Sequence, residues 1–263
     1  MMAEVIGRMR YLTAFAVLLI LHGCSSSHPP KQSGPTPEPA HRESAAVVQS
    51  PIICIDPGHP SEVNDGRTIQ NGTSEVHVVW NIAVELQKLL EAKGYRVVMT
   101  KAAEDQSVMN KERALIGNRS HAALTVRLHC DSSSDQGYAV YYPDRQGTKD
   151  GVTGPAPAVI ENSLRAAEAV HTGMAESLRG GLRDGGVRGD SRTLVGSKQG
   201  ALTGSIFSEI PIVTVEMVVL SNARDAEFIK SEAGQYKMAQ AIADGVERFV
   251  DESSSAMSRS PDR

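Results

Sequence analysis

Short apolar runs alternate with longer amphipathic stretches through the middle of the chain. Ile52–Asp56 is a short apolar run closed by Pro57 and Gly58, the pattern of a buried strand rather than a helix. From Val76 to Lys93 the residues Val76, Val79, Ala83, Leu86 and Leu90 recur at intervals of three and four, and Gly94 supplies a stop, so an amphipathic helix is expected. Tyr95–Thr100 reads as a second strand and Asn110–Asn118 as a helix capped by Asn110. Ala123–Cys130 reads as a third strand, with Leu124, Val126 and Leu128 alternating against Thr125, Arg127 and His129. Gly137–Tyr142 and the apolar run Pro211–Val219 add strands, and Val159–Leu178 and Gln235–Val250 add helices. Strands alternating with helices predict a single α/β domain, a mostly parallel twisted sheet with helices on both faces. No internal repeat interrupts it.

The ends of the chain read differently. Arg8 and Arg10 precede an uncharged apolar run from Tyr11 to Leu21, too short for a hydrocarbon core of roughly 30 Å. The run closes on Leu21, His22, Gly23 and Cys24, which resembles the lipobox of bacterial lipoproteins, although His22 departs from the usual small or aliphatic residue. Residues 1–23 are therefore expected to be a signal peptide and Cys24 the lipidated residue of the mature chain. Residues 24–50, rich in Pro, Ser, Gln and Thr, are expected to form a disordered tether reaching roughly 30 Å as a flexible coil. Residues 51–250 then form the catalytic domain and 251–263 a disordered tail. Ser25 lacks the aspartate that retains many lipoproteins at an inner membrane, so the expected location is a lipid anchor in an outer membrane, facing the periplasm.

Candidate chemistry falls at the ends of the expected strands, where α/β sheets build their sites. His59 follows the Asp56-Pro57-Gly58 turn, His129 closes the third strand, and Glu75 opens the first helix. Two imidazoles and a carboxylate are a ligand set that leaves zinc a fourth position for water. Glu216 interrupts the apolar run Ile212–Val219, where a carboxylate costs several kcal/mol unless paired or bound; it is the candidate general base. Each residue also has a plainer role open to it. A strand-end histidine is often a hydrogen-bonded structural residue, Glu75 suits a helix N-terminus through the dipole, and Glu216 could form a salt bridge with Arg127 or Arg113. His77 lies about 200° around the helix from Glu75, so it is expected near the site or in solvent rather than as a ligand.

Five segments in order, Ile53–His59 (ICIDPGH), Gly72–Glu75 (GTSE), Arg113–Asn118 (RALIGN), Thr125–Cys130 (TVRLHC) and Pro211–Asn222 (PIVTVEMVVLSN), resemble the zinc-dependent N-acetylmuramoyl-L-alanine amidases of the amidase_3 type. The resemblance implies one catalytic Zn2+ held by His59, Glu75 and His129, with Glu216 as general base and acid. The implied substrate is the amide between N-acetylmuramic acid and L-alanine in peptidoglycan or muropeptides. Several positions depart from the family pattern: Pro60 replaces a glycine, Cys130 and Asp131 replace an Ala-Asn pair, and Val218 and Val219 stand where Gly-Phe is common. Arg127 replaces a serine and puts a cation near the expected metal, where it is expected to pair with a stem-peptide carboxylate or with Glu216. Arg113 is a second candidate for substrate or supporting contacts. A zinc carboxypeptidase-like peptidase, or a silent peptidoglycan-binding lipoprotein on the same fold, are the alternative functions.

Composition closes off other classes. In 263 residues the formal charge is -4, which lacks the basic balance a nucleic-acid binder needs, so no nucleic-acid partner is expected. Three cysteines, one of them Cys24, do not make a disulfide framework, and the strand offset between Cys54 and Cys130 puts them beyond disulfide reach. The Gly-rich stretch Gly180–Gly204 makes a poor occluding helix. It is expected to be a mobile substrate loop, and the enzyme to need no protein activator, although Glu161 or Glu209 remained open as carboxylates that cap the metal.

Overall fold

The computed structural model describes residues 50–258. The signal segment, Cys24, the tether before Ser50 and the last five residues lie outside the described residues. β1 (Ile52–Pro57) leads through α1 (Glu75–Ala92) to β2 (Arg96–Met99), and α2 (Asn110–Arg119) then leads to β3 (Leu124–Asp131). β1 lies between β2 and β3 and is parallel to both. The two crossovers therefore travel in opposite directions along the sheet, and their shared right-handed sense places α1 and α2 on opposite faces. The crevice this opens beyond the carboxyl ends of β1 and β3 is where such sheets bind ligands.

The chain continues through β4 (Tyr138–Tyr142), α3 (Pro157–Leu178), β5 (Asp184–Gly189), β6 (Ile212–Val219), α4 (Ala223–Lys230) and α5 (Glu232–Ser258). The sheet order is β2-β1-β3-β6-β4-β5. β6 is parallel to β3, while β4 is antiparallel to β6 and carries β5 parallel to itself. One face packs Ile55, Val126, Leu128, Val215 and Met217 against α1, α3 and α5, all within the main core. The other face is covered by α2 and two short helices, Gly196–Gln199 and Thr203–Ile206, with Ala114, Ile206 and Phe207 forming a small second core. Central strands buried on both faces explain why Ile52–Asp56 reads as a short apolar run.

Three expectations change, and one helix is added. Asn110 is not the cap of α2 but its first residue; Met109 is the cap residue, and the Asn110 N–H is satisfied from a distance by Glu62 Oε2 at 2.9 Å. Residues Gly180–Gly204 are not a loop throughout: they hold β5, a 3-10 turn and two short helices, because strand pairing with β4 supplies the hydrogen bonds that local propensity does not. α4, only eight residues long, had no helix expected of it from sequence, and Asn222 caps it through Oδ1, accepting from Arg224 N and Asp225 N. The expected tail from residue 251 begins too early, since α5 runs to Ser258, with Ser254 Oγ bonded back to the Val250 carbonyl at 2.9 Å.

Candidate metal centre

The segment after β1 is shaped by two glycines. A Cβ at Gly58 would lie 2.5 Å from His129 Cε1 and 2.7 Å from the Leu128 carbonyl oxygen, so only glycine lets the turn lie against the end of β3. Its N–H donates to that carbonyl at 2.9 Å. His59 follows in the left-handed region at φ 52°, a conformation that costs on the order of 1–3 kcal/mol in a non-glycine residue and persists only when its surroundings enforce it. Gly66, at φ 68°, packs where a Cβ would fall 2.6 Å from His59 Cβ.

Side chains supply the enforcement. Buried Asp56, at the end of β1, accepts from Arg113 Nη1 at 2.7 Å through Oδ1 and from Arg127 Nε at 2.8 Å through Oδ2. Burial opposes its ionisation, but the two guanidinium charges and the Thr100 hydroxyl outweigh that and hold it well below the usual carboxylate range. Arg113 also donates to the Val108 and Pro60 carbonyls, both at 2.9 Å. Lys101 donates to the carbonyls of His59 and Glu104, and burial, then the Arg113 charge, brings its pKa down to about 8. This cationic frame sets the histidine turn from behind. Asp56→Asn would leave Arg113 and Arg127 buried without a counter-charge, and we expect a loss of about 3–5 kcal/mol of stability, read as a lowered denaturation midpoint. The Asp56 carboxyl is depressed on folding, so its contribution is present above the ordinary aspartate range and lost as pH falls below it. An unchanged midpoint in the variant would overturn this role.

In front of that frame, His59, Glu75 and His129 converge. One ligand-type atom from each lies within 4.8 Å of the others. Glu75 Oε2 is 3.2 Å from His59 Nε2 and Oε1 is 3.0 Å from His129 Nδ1, with the rings edge to face at 5.0 Å. His59 Nδ1 lies 3.2 Å from the Asn64 carbonyl, a contact that orients the ring so that Nε2 is aimed at Glu75 and the cluster. Burial resists charge on Glu75, but hydrogen bonds from His129 and His59 outweigh it and hold the carboxyl well below its usual range; burial also lowers the His129 pKa. A neutral imidazole and an ionised carboxylate are the forms that bind metal. The donor set therefore fits a divalent zinc ion, and no further carboxylate joins it among the described residues.

Glu216 stands beside His129, its register partner across β3 and β6. It lines a cleft whose floor also carries Arg127 and Thr214 and whose walls include Val63, Tyr141 and Leu202. Its Oε2 is shut from solvent with no hydrogen-bond partner. Burial first, then the charges of Glu75 and Asp131, push its pKa well above the usual range.

The structure thus brings together His59, Glu75, His129 and Glu216. The expected pairing of Arg127 with Glu216 does not form: Arg127 is ion-paired to Asp56 and donates Nη2 to Asn110 Oδ1 at 2.6 Å, because Asp56 lies directly across β1 in register with it. Arg113 likewise is committed to Asp56 and to backbone carbonyls. His77 is exposed, on Glu104, and Glu161 and Glu209 are exposed away from the cluster. Cys54 and Cys130 are free, with the Cys54 thiol pushed by burial up to about 12. Sequence reasoning missed Asp56, Lys101, Asn110 and Glu62 as parts of the site. Asp56 stood inside the DPGH motif and signalled itself there; the other three carried no local signal.

A doubly covered α/β sheet with a two-histidine, one-carboxylate cluster beyond its central strands defines the class of domain. The amidase_3 family model, described as N-acetylmuramoyl-L-alanine amidase, matches residues 53–248, and the chain belongs to that family. Among curated relatives, it is 29% identical over 252 residues to N-acetylmuramoyl-L-alanine amidase AmiC of Neisseria meningitidis, covering 83% of this chain and 56% of that protein. It is 32% identical over 201 residues to N-acetylmuramoyl-L-alanine amidase LytC of Bacillus subtilis, covering 75% of this chain and 35% of the relative. The chain therefore spans about half or less of the length of these relatives. The apo structure of the amidase Ami1 from Mycobacterium abscessus shares the fold at a TM-score of 0.65 and 23% identity, covering 77% of this chain and 100% of that one.

Proposed function

We propose that this chain hydrolyses the amide bond between the lactyl group of N-acetylmuramic acid and L-alanine in peptidoglycan. The observation that carries this reading is the Glu216 carboxyl, which lines an open cleft in register with His129 and beside three convergent metal-type ligands. Family membership and relatives named as amidases of this bond support it. His59, Glu75 and His129 would hold zinc, which when bound supplies a Lewis acid for the carbonyl and lowers the pKa of water.

Glu216, which lines the cleft beside the cluster, accepts a proton from the attacking water at its carboxylate, holds it, and delivers it to the leaving nitrogen. The water oxygen joins the carbonyl carbon, the C–N bond breaks, and the products are a lactyl carboxylate and the free amine of the stem peptide. Val63, Leu202 and Tyr141 lower the water content around these groups, which strengthens each electrostatic contact.

Mass spectrometry of purified muropeptides after incubation with the protein and zinc, with no other protein added, tests the reading. Release of an intact stem peptide is expected. Loss of one terminal amino acid would make the chain a peptidase, and no change would leave a silent binding protein or one that needs an activator.

We further propose that Cys24 carries lipid and anchors the mature chain to an outer membrane, facing the wall. The arginines and short apolar run before Cys24 support this. Cys24→Ser is expected to move the protein from the membrane fraction to the soluble one. Unchanged fractionation, with no acyl mass on the mature N-terminus, would overturn the anchor.

A further inference from the structure

We infer that Arg127 is the specificity-determining cation of the cleft, and that it takes the free α-carboxylate of the second residue of the stem peptide; this rests on the amidase reading above. Arg127 points to the same side of β3 as His129 and lies two residues before it. Its register partner in β6 is Thr214, as that of His129 is Glu216. All four residues line the cleft.

The hydrogen bonds of Arg127 leave one nitrogen over. Nε is held by Asp56 Oδ2 and Nη2 by Asn110 Oδ1. Asn110 is itself held by Glu62 through its N–H at 2.9 Å and its Nδ2 at 3.2 Å, so the guanidinium plane is fixed from two sides. Nη1 has no such bond. The buried side-chain polar atoms that are unpaired and closed to solvent, among the described residues, are Thr125 Oγ1, Asp190 Oδ1 and Glu216 Oε2. Nη1 is not one of them; it lies beside Gly204, where a Cβ would come within 2.9 Å, on a guanidinium that lines the cleft.

The charge balance points the same way. Among the described residues, Asp56 is the only carboxylate in an ion pair with Arg127, and it is shared with Arg113. Buried Lys101 adds a further cation, bonded only to carbonyl oxygens. Asp190 and Glu216 are the other acids that act on Arg127 through space, and neither comes within ion-pair distance of it. Arg113 spends its remaining donors on backbone carbonyls behind the turn. The uncompensated charge therefore sits on the guanidinium that faces the cleft, and a buried cation without a partner favours an incoming anion.

Reach selects the anion. Two residues along a strand span about 7 Å, and an extended stem running along the cleft from a scissile amide beside His129 and Glu216 covers the same distance in two residues. The second residue bears an α-carboxylate when the stem is linked through its side chain, and this group is either free or amidated. Arg127 would distinguish the two states as an ion pair against a neutral amide.

The test uses the full zinc-loaded chain with two muropeptides that differ only in that group, muramyl-L-alanyl-D-glutamate and muramyl-L-alanyl-D-isoglutamine. The free acid is expected to have a kcat/KM at least tenfold higher, with an advantage that shrinks as salt is raised. Rates equal within twofold would overturn the assignment, and cleavage of neither substrate would instead remove the amidase reading beneath it. Calorimetric titration of Glu216→Gln with the same pair gives a readout independent of turnover, and the free acid should bind tighter there too. Arg127→Gln is expected to bring the two substrates to parity while zinc content is retained; if that variant does not fold, the substrate pair on the unaltered protein still decides.

Discussion

Glu216→Gln lowers turnover by about two to four orders of magnitude while leaving the zinc stoichiometry unchanged. The amide keeps the volume of the carboxyl group in the cleft but cannot accept and hold a proton as the carboxylate does. Nothing beside it can take over. Arg127 and Arg113 are cations, Glu75 is engaged by both histidines, and Asp131, the other acid acting on Glu216, does so only through space. The substitution also removes a buried carboxyl whose ionisation is disfavoured by burial, so the variant should be at least as stable as the parent. The pair of results separates chemistry from folding: activity falls, and the denaturation midpoint does not. Turnover within threefold of the parent would assign the base elsewhere, and loss of zinc together with activity would make Glu216 a ligand.

The parts of the fold that sequence conveys are those fixed by periodicity. β1, α1, β3 and β6 appear in the pattern because each buries a continuous face or both faces, and their ends fall within a residue or two of expectation. β5 does not appear, because Asp184, Gly185 and Gly186 have no strand propensity and depend on pairing with β4. The same division holds in the site. His59, Glu75, His129 and Glu216 are ligand-type or charged residues at strand ends or inside an apolar run, which makes them visible one at a time. Lys101 and Asn110 are ordinary in their own segments and acquire meaning only through partners that the fold brings from 42 and 17 residues away, the His59 carbonyl and the Arg127 guanidinium. Arg127 shows the limit most directly: its proximity to the cluster follows from strand parity, but its ion pair depends on the register of β1 against β3, which sequence does not state.

Removing metal should abolish activity and leave a folded protein. The frame that sets the histidine turn consists of Asp56, Arg113, Arg127 and Lys101, none of which belongs to the ligand set. Glu75 also contacts both imidazoles, at 3.0 and 3.2 Å, and helps hold the ligand side chains together. Chelation followed by dialysis is therefore expected to reduce hydrolysis to background, with secondary structure by circular dichroism unchanged. Added zinc should restore activity and raise the melting temperature, because a ligand that binds only the folded state stabilises it by about 2.7 kcal/mol at a hundredfold excess over its dissociation constant. His59→Ala should lower zinc occupancy and lose that thermal shift, since one of three ligands and the Nε2 lone pair aimed at the cluster disappear together. Full hydrolysis by protein verified to be metal-free would show that the cluster serves structure alone, and unfolding on chelation would move the cohesion of the site from the Asp56 frame to the ion.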